Sequence, residues 1–454
     1  MRFCSAYTLM VALVAVAALP AAPAAQAKGP TDPRALIEQA VPLLQQGQYA
    51  LGRAYLAPAL PHPQLSAAER AHAYYLRGAS YLQQRLFVSA RKDFHRALEF
   101  NARNAAAQTS LADLYRNGLG VAQDVPLALT LYSEAAELGE SRAQINLGQA
   151  YITGTGVEQD LAEGRRWLAP LAEDGNATAM VHLAASYRDR YTAEPQPQLA
   201  LSWYDQAIDR NDPGAMVAKA YMLRTGEAGR IEGENVLLLL ERAAQLEHPH
   251  AVVLLSNMYL EGEFVASDAQ RAYALLEQAS AAPSGEVLLR LGHHRQYGLG
   301  TAVDRSGAID AYTRAAALGE QRAMSRLAQL LLRNEDEVSH RRAGQYLAQA
   351  AASEAPGAQN DYAWYLATHP LASLRDGARA LSYAQAAVAQ NATPGYLDTL
   401  AAAYAELGNF ELAVRTQKQA IERANADAPE LVDELKDRLQ RFEARKPWRS
   451  VTAG

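Results

Sequence analysis

The sequence predicts an all-α fold, a right-handed superhelical solenoid of about eleven antiparallel helix hairpins that ends in a C-terminal capping helix. Three observations favour this fold. The same residue types return at intervals close to 36 positions, glycine pairs followed by aspartate recur at the same interval, and Ala, Leu, Gln, Glu and Arg dominate the composition. These residues favour helix, and the alternating Val- and Ile-rich runs typical of strands are absent.

Two registers run together through the middle of the chain. Large apolar residues, each followed by a small one, lie 34 to 38 positions apart at Leu111, Leu147, Leu183, Val217, Leu255, Leu291 and Leu327. A second set lies 36 positions apart without exception, at Tyr132, Leu168, Tyr204, Leu240, Leu276 and Tyr312. A single helix hairpin cannot bury such a stripe by itself, so neighbouring hairpins must stack.

Turn and cap residues separate the helices of each unit. Gly118 and Gly120 end one helix, because glycine readily adopts the positive φ of a helix C-terminus, and Gly154 with Gly156 repeats the break. The next helix begins at an aspartate whose carboxylate can accept free backbone N–H groups, at Asp124, Asp160, Asp268 and Asp304. Gly148 and its equivalents allow the partner helix to approach closely.

These residues resemble the Sel-one-like repeat family, a relative of the tetratricopeptide repeat. The resemblance is closest over residues 111–124 and 147–160 and weaker near Tyr187 and Tyr221, where the turns differ. Together with the residue patterns at the two ends of the chain, the resemblance divides the sequence into five segments: a signal peptide over 1–27, tetratricopeptide-like hairpins over 28–106, Sel-one-like repeats over 107–356, further tetratricopeptide-like hairpins over 357–427, and a capping helix with a basic tail over 428–454. The tail, from Arg445 to Arg449, is expected to be disordered, with contact to lipid headgroups or peptidoglycan as the alternative.

The first residues have the pattern of a secretory signal. Arg2 precedes an apolar run over 9–19, and Ala25-Gln26-Ala27 fits a small-x-small cleavage site. The one cysteine, Cys4, lies ahead of the apolar run, where it cannot serve as a lipidation site. We therefore expect a periplasmic or secreted protein without an integral membrane span, and a processed chain without disulfides or thiol chemistry.

The sequence carries no recognisable catalytic, cofactor or metal motif. Nucleophile elbows and Walker-type loops are absent, and the closest histidine pairs, His248 with His250 and His293 with His294, lack zinc-ligand spacing. A net charge of −6 without a basic patch argues against nucleic acid. We therefore expect no enzyme activity, no cofactor and no metal. A glycan- or peptidoglycan-binding module and a β-lactam hydrolase-like secreted repeat protein stay as alternatives, although the relatives of the second kind use cysteine pairs.

Binding is predicted in the concave groove lined by the first helix of each hairpin. The resemblance to tetratricopeptide-like units places groove positions just after the small residue of each repeat and one helical turn beyond. They are Gln83, Asp113, Arg116, Asn117, Gln149, Arg188, Asp189, Lys219, Asn257, His293, Gln296, Tyr297, Gln329 and Arg333. Their mixed polarity suits other envelope proteins or extended peptides. The expected function is that of a scaffold or adaptor of the bacterial cell envelope. The family resemblance implies a role in polysaccharide export or envelope assembly.

Overall fold

The structure, a computed structural model, describes residues 32–188, 192–227, 229, 233–282 and 284–450. Within these residues it contains 23 α-helices and no β-strand, which confirms the predicted helical repeat fold. The signal-peptide prediction concerns residues outside this range. The chain divides into two compact units, Met1–Arg210 and Asn211–Gly454, which are described separately.

In the first unit, each odd-numbered helix packs against the helix that follows it, which gives five hairpins in the described residues. The helices are α1 (Pro33–Gln45), α2 (Tyr49–Ala59), α3 (Ala67–Gln83), α4 (Phe87–Phe100), α5 (Ala105–Asn117), α6 (Val125–Glu137), α7 (Ser141–Thr153), α8 (Leu161–Glu173), α9 (Ala177–Ala185) and α10 (Pro197–Ile208). The first of these hairpins is α1 with α2.

The second unit contains six hairpins and one further helix in its described residues. The helices are α11 (Pro213–Thr225), α12 (Gly233–Gln245), α13 (Pro249–Glu261), α14 (Ala269–Ala279), α15 (Gly285–Tyr297), α16 (Arg305–Ala317), α17 (Gln321–Leu331), α18 (Glu337–Ala351), α19 (Pro356–Thr368), α20 (Gly377–Gln390), α21 (Pro394–Glu406), α22 (Phe410–Asp427) and α23 (Val432–Glu443). The last helix, α23, packs on α22 as the predicted capping helix.

The predicted caps and breaks are confirmed. Gly118 and Gly154 end α5 and α7 in the left-handed conformation, with φ of 64° and 68°. The carboxylate of Asp124 accepts from the Leu127 backbone N–H at 3.0 Å, and Asp160, Asp268 and Asp304 cap their helices in the same way. A side chain at Gly148 would place its Cβ 2.8 Å from Leu168 Cγ, so glycine is what permits the close packing of α7 and α8.

The N-caps of the first helices from α5 to α17 keep a period of 36, so the predicted irregularity at Val217 is wrong. Asn176, Asp212 and His248 are the N-caps of α9, α11 and α13, and they lie 36 positions apart. Lys219 therefore stands where the neighbouring repeats carry a buried leucine, and Val217 is only half-buried. In α11 the core is instead filled by Met216 and Met222, both fully buried.

The C-terminal tail differs from the expectation of disorder. Residues 446–450 have no regular secondary structure and lie against other parts of the second unit. The Ser450 backbone N–H donates to the Thr368 carbonyl at 2.9 Å, and Trp448 packs at the edge of the hydrophobic core. The tail is ordered because its aromatic and hydrogen-bonding groups contact helices elsewhere in the second unit. The basic character of residues 445–449 by itself does not predict these contacts.

Candidate partner-binding surfaces

The predicted groove positions lie on the first helix of their hairpins or directly after it. We call the solvent-facing side of these first helices the first-helix face. With the 36-residue register corrected, the equivalent position of each repeat is Asp113, Gln149 and Ala185 in the first unit and Tyr221, Asn257, His293 and Gln329 in the second, and none of these residues is buried. Tyr221 was missed because the register near Val217 was misplaced, and its side chain is 46% exposed.

Three predicted residues line one cavity of the first unit, which we call the α5–α7 cavity. Arg116 and Asn117 project from α5 and Gln149 from α7, around a volume of about 400 Å³. The Arg116 guanidinium donates to Asn146 Oδ1 at 3.1 Å and lies 5.7 Å from the centroid of the Tyr132 ring. The cavity thus presents amide and guanidinium groups that are positioned by the next repeat.

Asp113 has partners within the fold. Its carboxylate accepts from the hydroxyl of Tyr132 and forms an ion pair with Arg142 of the next repeat. Burial raises the pKa of the Tyr132 hydroxyl well above its usual range, so this group donates to the carboxylate at neutral pH. The side chain of Asn117 donates to the Asp113 backbone carbonyl at 2.8 Å. Asp113 therefore contributes to the packing of adjacent repeats.

Three predicted residues follow one another closely on α15. The His293 and Tyr297 rings lie 4.8 Å apart, and the Tyr297 side chain is 50% exposed. Burial, with the positive charge of Arg290, lowers the pKa of the His293 imidazole. Gln296 accepts a hydrogen bond from the Tyr312 hydroxyl at 2.9 Å. This part of the face is aromatic and uncharged at neutral pH.

The other predicted residues are more scattered. Gln83 and Arg333 are exposed at the ends of α3 and α17, and Asn257 is half-buried on α13. Arg188 follows α9, and Asp189 lies outside the described residues. Lys219 is half-buried at the register of a core leucine, so its assignment to the groove rested on the wrong register.

A larger cavity lies in the second unit, and sequence reasoning found only one of its lining residues, Gln329. We call it the C-terminal cavity. Its volume is about 520 Å³, and it is bordered by α17, α18, α19, α21 and α23, with Ser450 of the tail at its edge. Three of these, α17, α19 and α21, are successive first helices. Its size is that of a ligand or side-chain pocket.

A buried ion pair forms one wall of this cavity. Arg438 of α23 donates to Asp398 of α21 at 2.8 Å, and the two side chains are 12% and 8% exposed. Gln417 donates to the same carboxylate at 2.8 Å. Burial raises the pKa of Asp398 to about 6, although Arg438 opposes this shift. The Arg438 guanidinium also lies 5.0 Å from the Trp364 ring centroid, within cation–π range.

Two histidines form a second wall. The Leu371 backbone N–H donates to His369 Nδ1 at 3.1 Å, His369 Nε2 lies 3.1 Å from His340 Nδ1, and His340 Nε2 lies 2.7 Å from the Asn334 carbonyl. These contacts assign one pattern, in which each neutral imidazole donates from Nε2 and accepts at Nδ1. Burial and the neighbouring His340 lower the pKa of His369, consistent with a neutral His369 imidazole.

Polar groups also line the side formed by α19. The Asp361 carboxyl has its pKa raised by burial, an effect that the Ser325 hydroxyl and Arg326 oppose. The neighbouring Asn360 carries a buried side-chain oxygen without a hydrogen-bond partner. With Trp364 and Tyr365 on the same helix, the cavity combines aromatic walls with a few hydrogen-bonding groups. Such a lining favours recognition of a side chain or peptide.

Two features were sought in the residues that the structure describes, a cluster of metal ligands and a membrane-spanning helix. They contain no group of three or more His, Cys, Asp or Glu side chains arranged to hold a metal ion. Across the same part of the chain, no helix combines the length and hydropathy needed to cross a bilayer.

Comparison with known proteins confirms the repeat type. The Sel1 repeat family profile matches five segments, at residues 105–140, 141–176, 177–212, 249–284 and 285–320. The five matched segments cover less than half of the chain and follow the 36-residue register of the helix caps. A comparison with the curated proteins found none that matches.

Solved structures of low sequence identity are similar to this chain. A protective antigen of uropathogenic Escherichia coli with an SLR fold is 22% identical, with a TM-score of 0.45, over 84% of this chain and 81% of that chain. A Sel1 repeat protein from Oxalobacter formigenes is 21% identical, with a TM-score of 0.45, over 74% and 93%. The Cut9–Hcn1 hetero-tetramer of the APC/C is 16% identical, with a TM-score of 0.42, over 90% and 78%. Repeat folds of this kind generally serve as protein–protein interaction scaffolds.

Proposed function

We propose that this protein is a non-enzymatic scaffold of the bacterial cell envelope that binds extended segments of partner proteins on its first-helix face. One observation supports the proposal above the others. At the C-terminal cavity, which three successive first helices border, the tail of the chain itself is held by a backbone hydrogen bond from Ser450 to Thr368 of α19. A surface that holds one such segment has the hydrogen-bonding groups needed for another.

The polarity of the first-helix face supports protein partners. Arg116 and Gln149 at the α5–α7 cavity, and Asn360 and Asp361 at the C-terminal cavity, offer donors and acceptors. The half-buried Trp364, which lines the C-terminal cavity, supplies apolar area. Mixed surfaces of this kind suit peptide and protein recognition. Interleaved charges of both signs do not favour a polyanion such as nucleic acid.

The partner-binding proposal is tested by photo-crosslinking in the native bacterium. A photoreactive amino acid at Gln329, which lines the C-terminal cavity, should form a discrete crosslink to another envelope protein. Gln345 on α18 is the matched control, because it is also exposed and its helical position lies opposite His340 and Leu347, which line the cavity. Equal crosslinking at both positions, or crosslinks to glycan alone, would contradict the proposal.

Export is a separate part of the proposal and rests on the first 27 residues. Cell fractionation of the full-length protein should recover it in the periplasm or the medium, with an N-terminus that begins at Lys28. Recovery of the unprocessed chain from the cytoplasm would contradict the location in the cell envelope. The proposal that the protein is a scaffold would then be tested by the crosslinking experiment alone.

A further inference from the structure

The C-terminal tail is bound as an extended peptide would be. The Ser450 backbone N–H donates to the Thr368 carbonyl at 2.9 Å, and the hydroxyls of the two residues lie 2.7 Å apart. Thr368 is the last residue of α19, and a backbone carbonyl at this end of a helix has no N–H partner within the helix. Any extended segment with a free backbone N–H could make the first of these contacts.

The residue before Ser450 is held by a preformed carboxylate. Arg449 forms an ion pair with Glu406, the last residue of α21, at 2.7 Å. Arg375 donates to the other oxygen of Glu406 at 2.8 Å and also binds the carbonyls of His369 and Pro370 at 2.8 and 2.9 Å. Arg375 therefore fixes Glu406 in place, with its second oxygen directed at a further cation.

An aromatic residue completes the bound segment. The Trp448 ring packs at the edge of the core of the second unit, 5.2 Å from the Arg438 guanidinium and 5.9 Å from that of Arg441. Both arginines belong to α23. The surface therefore selects three features in order: an aromatic ring, a cationic side chain, and a small hydroxyl residue with a free backbone N–H.

We infer that residues 447–450 occupy the site of a partner segment with this chemistry, an extended peptide with an aromatic residue followed by an arginine and a serine or threonine. The inference rests on the proposed function and adds two points to it: the chemistry of the partner segment and the regulation of its binding by the tail. The tail must leave before the partner segment binds. Because the tail is part of the same chain, it competes with the partner segment at a high effective concentration. The apparent affinity for the partner segment is therefore reduced in proportion to the fraction of molecules whose tail has left the site.

The test uses a fluorescent peptide that copies the tail, with the sequence Lys-Pro-Trp-Arg-Ser and blocked ends. Its binding is measured by fluorescence anisotropy to the full chain and to a chain that ends at Lys446. The shortened chain should bind at least about tenfold more tightly than the full chain. Glu406→Gln in the shortened chain, or alanine in place of the peptide's tryptophan, should weaken binding by a similar factor.

A second variant keeps the test independent of the truncation. In the full chain, Arg449→Ala removes one contact of the tail while Glu406 keeps its bond to Arg375, so the fold should persist, as circular dichroism can verify. This variant should bind the peptide more tightly than the parent. Equal binding by the parent, the folded truncation and Arg449→Ala, or no binding by any folded form, would overturn the inference. The Gln329 crosslink would then still decide the scaffold proposal.

Discussion

The two cavities on the first-helix face are built in different ways. Next to the α5–α7 cavity, where Asp113 accepts from the hydroxyl of Tyr132, the ion pair of Asp113 with Arg142 joins adjacent repeats, and its side chains are 24% and 53% exposed. At the C-terminal cavity, Asp398 pairs with Arg438 across α21 and α23, with 8% and 12% exposed. The first pair remains largely solvated, whereas the second is enclosed by tryptophan and leucine side chains. The end of a repeat array can therefore hold the more desolvated site, because capping elements close over it.

The first prediction, with the largest expected effect, is that removing the two arginines lowers the free energy of unfolding by different amounts. Arg438→Ala should lower the free energy of unfolding by about 3 kcal/mol or more, because it leaves Asp398 buried without its cation. Arg142→Ala should cost less than about 1 kcal/mol, since its side chain is half-exposed. Urea denaturation followed by circular dichroism measures both. Equal costs would show that the C-terminal pair is as solvated as the pair between repeats.

The sequence predicted the repeats well and the C-terminal site poorly, for one physical reason. Periodic cap and core residues such as Asp124 and Leu111 are fixed by local helix chemistry and by packing on the next repeat. The C-terminal cavity instead depends on contacts such as Thr368 with Ser450, 82 positions apart. No period links these residues, so only the folded chain brings them together. The tail's Trp-Arg-Ser sequence could have indicated a bound segment, but the prediction considered only its positive charge.

The corrected register gives the second prediction. Lys219→Leu should raise the free energy of unfolding by about 1 kcal/mol, because it restores the apolar residue that the neighbouring repeats carry at this position. Met216→Lys offers a matched comparison in the same helix and should destabilise strongly, since Met216 is fully buried. Both are measured by urea denaturation. If Lys219→Leu leaves stability unchanged but abolishes binding of the partner that the Gln329 crosslink identifies, Lys219 is a binding residue as first predicted.

A pH dependence gives the third and smallest expected effect. Burial lowers the pKa of His369 below its ordinary value of 6.5, so the unfolded state binds more protons as the pH falls through 6.5. The stabilisation by neutral His369 is therefore present above that pH and is lost on acidification. Asp398, whose pKa is raised to about 6, acts in the opposite direction, since the folded state keeps its proton at a higher pH than the unfolded state does.

Comparing two variants separates these contributions, because both contain Asp398. The stability advantage of the parent over His369→Gln should be smaller at pH 5 than at pH 7.5, as measured by urea denaturation. The exposed His72 on α3 provides the control, and His72→Gln should unfold like the parent at both pH values. An advantage that grows on acidification would mean that His369 is charged in the folded protein and that the neutral histidine pair is wrongly assigned.

The central claim is that partner segments bind the first-helix face at the C-terminal hairpins. Hydrogen exchange followed by mass spectrometry tests it most directly, with the full chain alone and with the partner that the Gln329 crosslink identifies. We expect new protection in α17, α19 and α21 at the C-terminal cavity, together with faster exchange in residues 446–450 as the tail is displaced. Protection confined to the second helices α18, α20 and α22, with no change in the tail, would contradict the account.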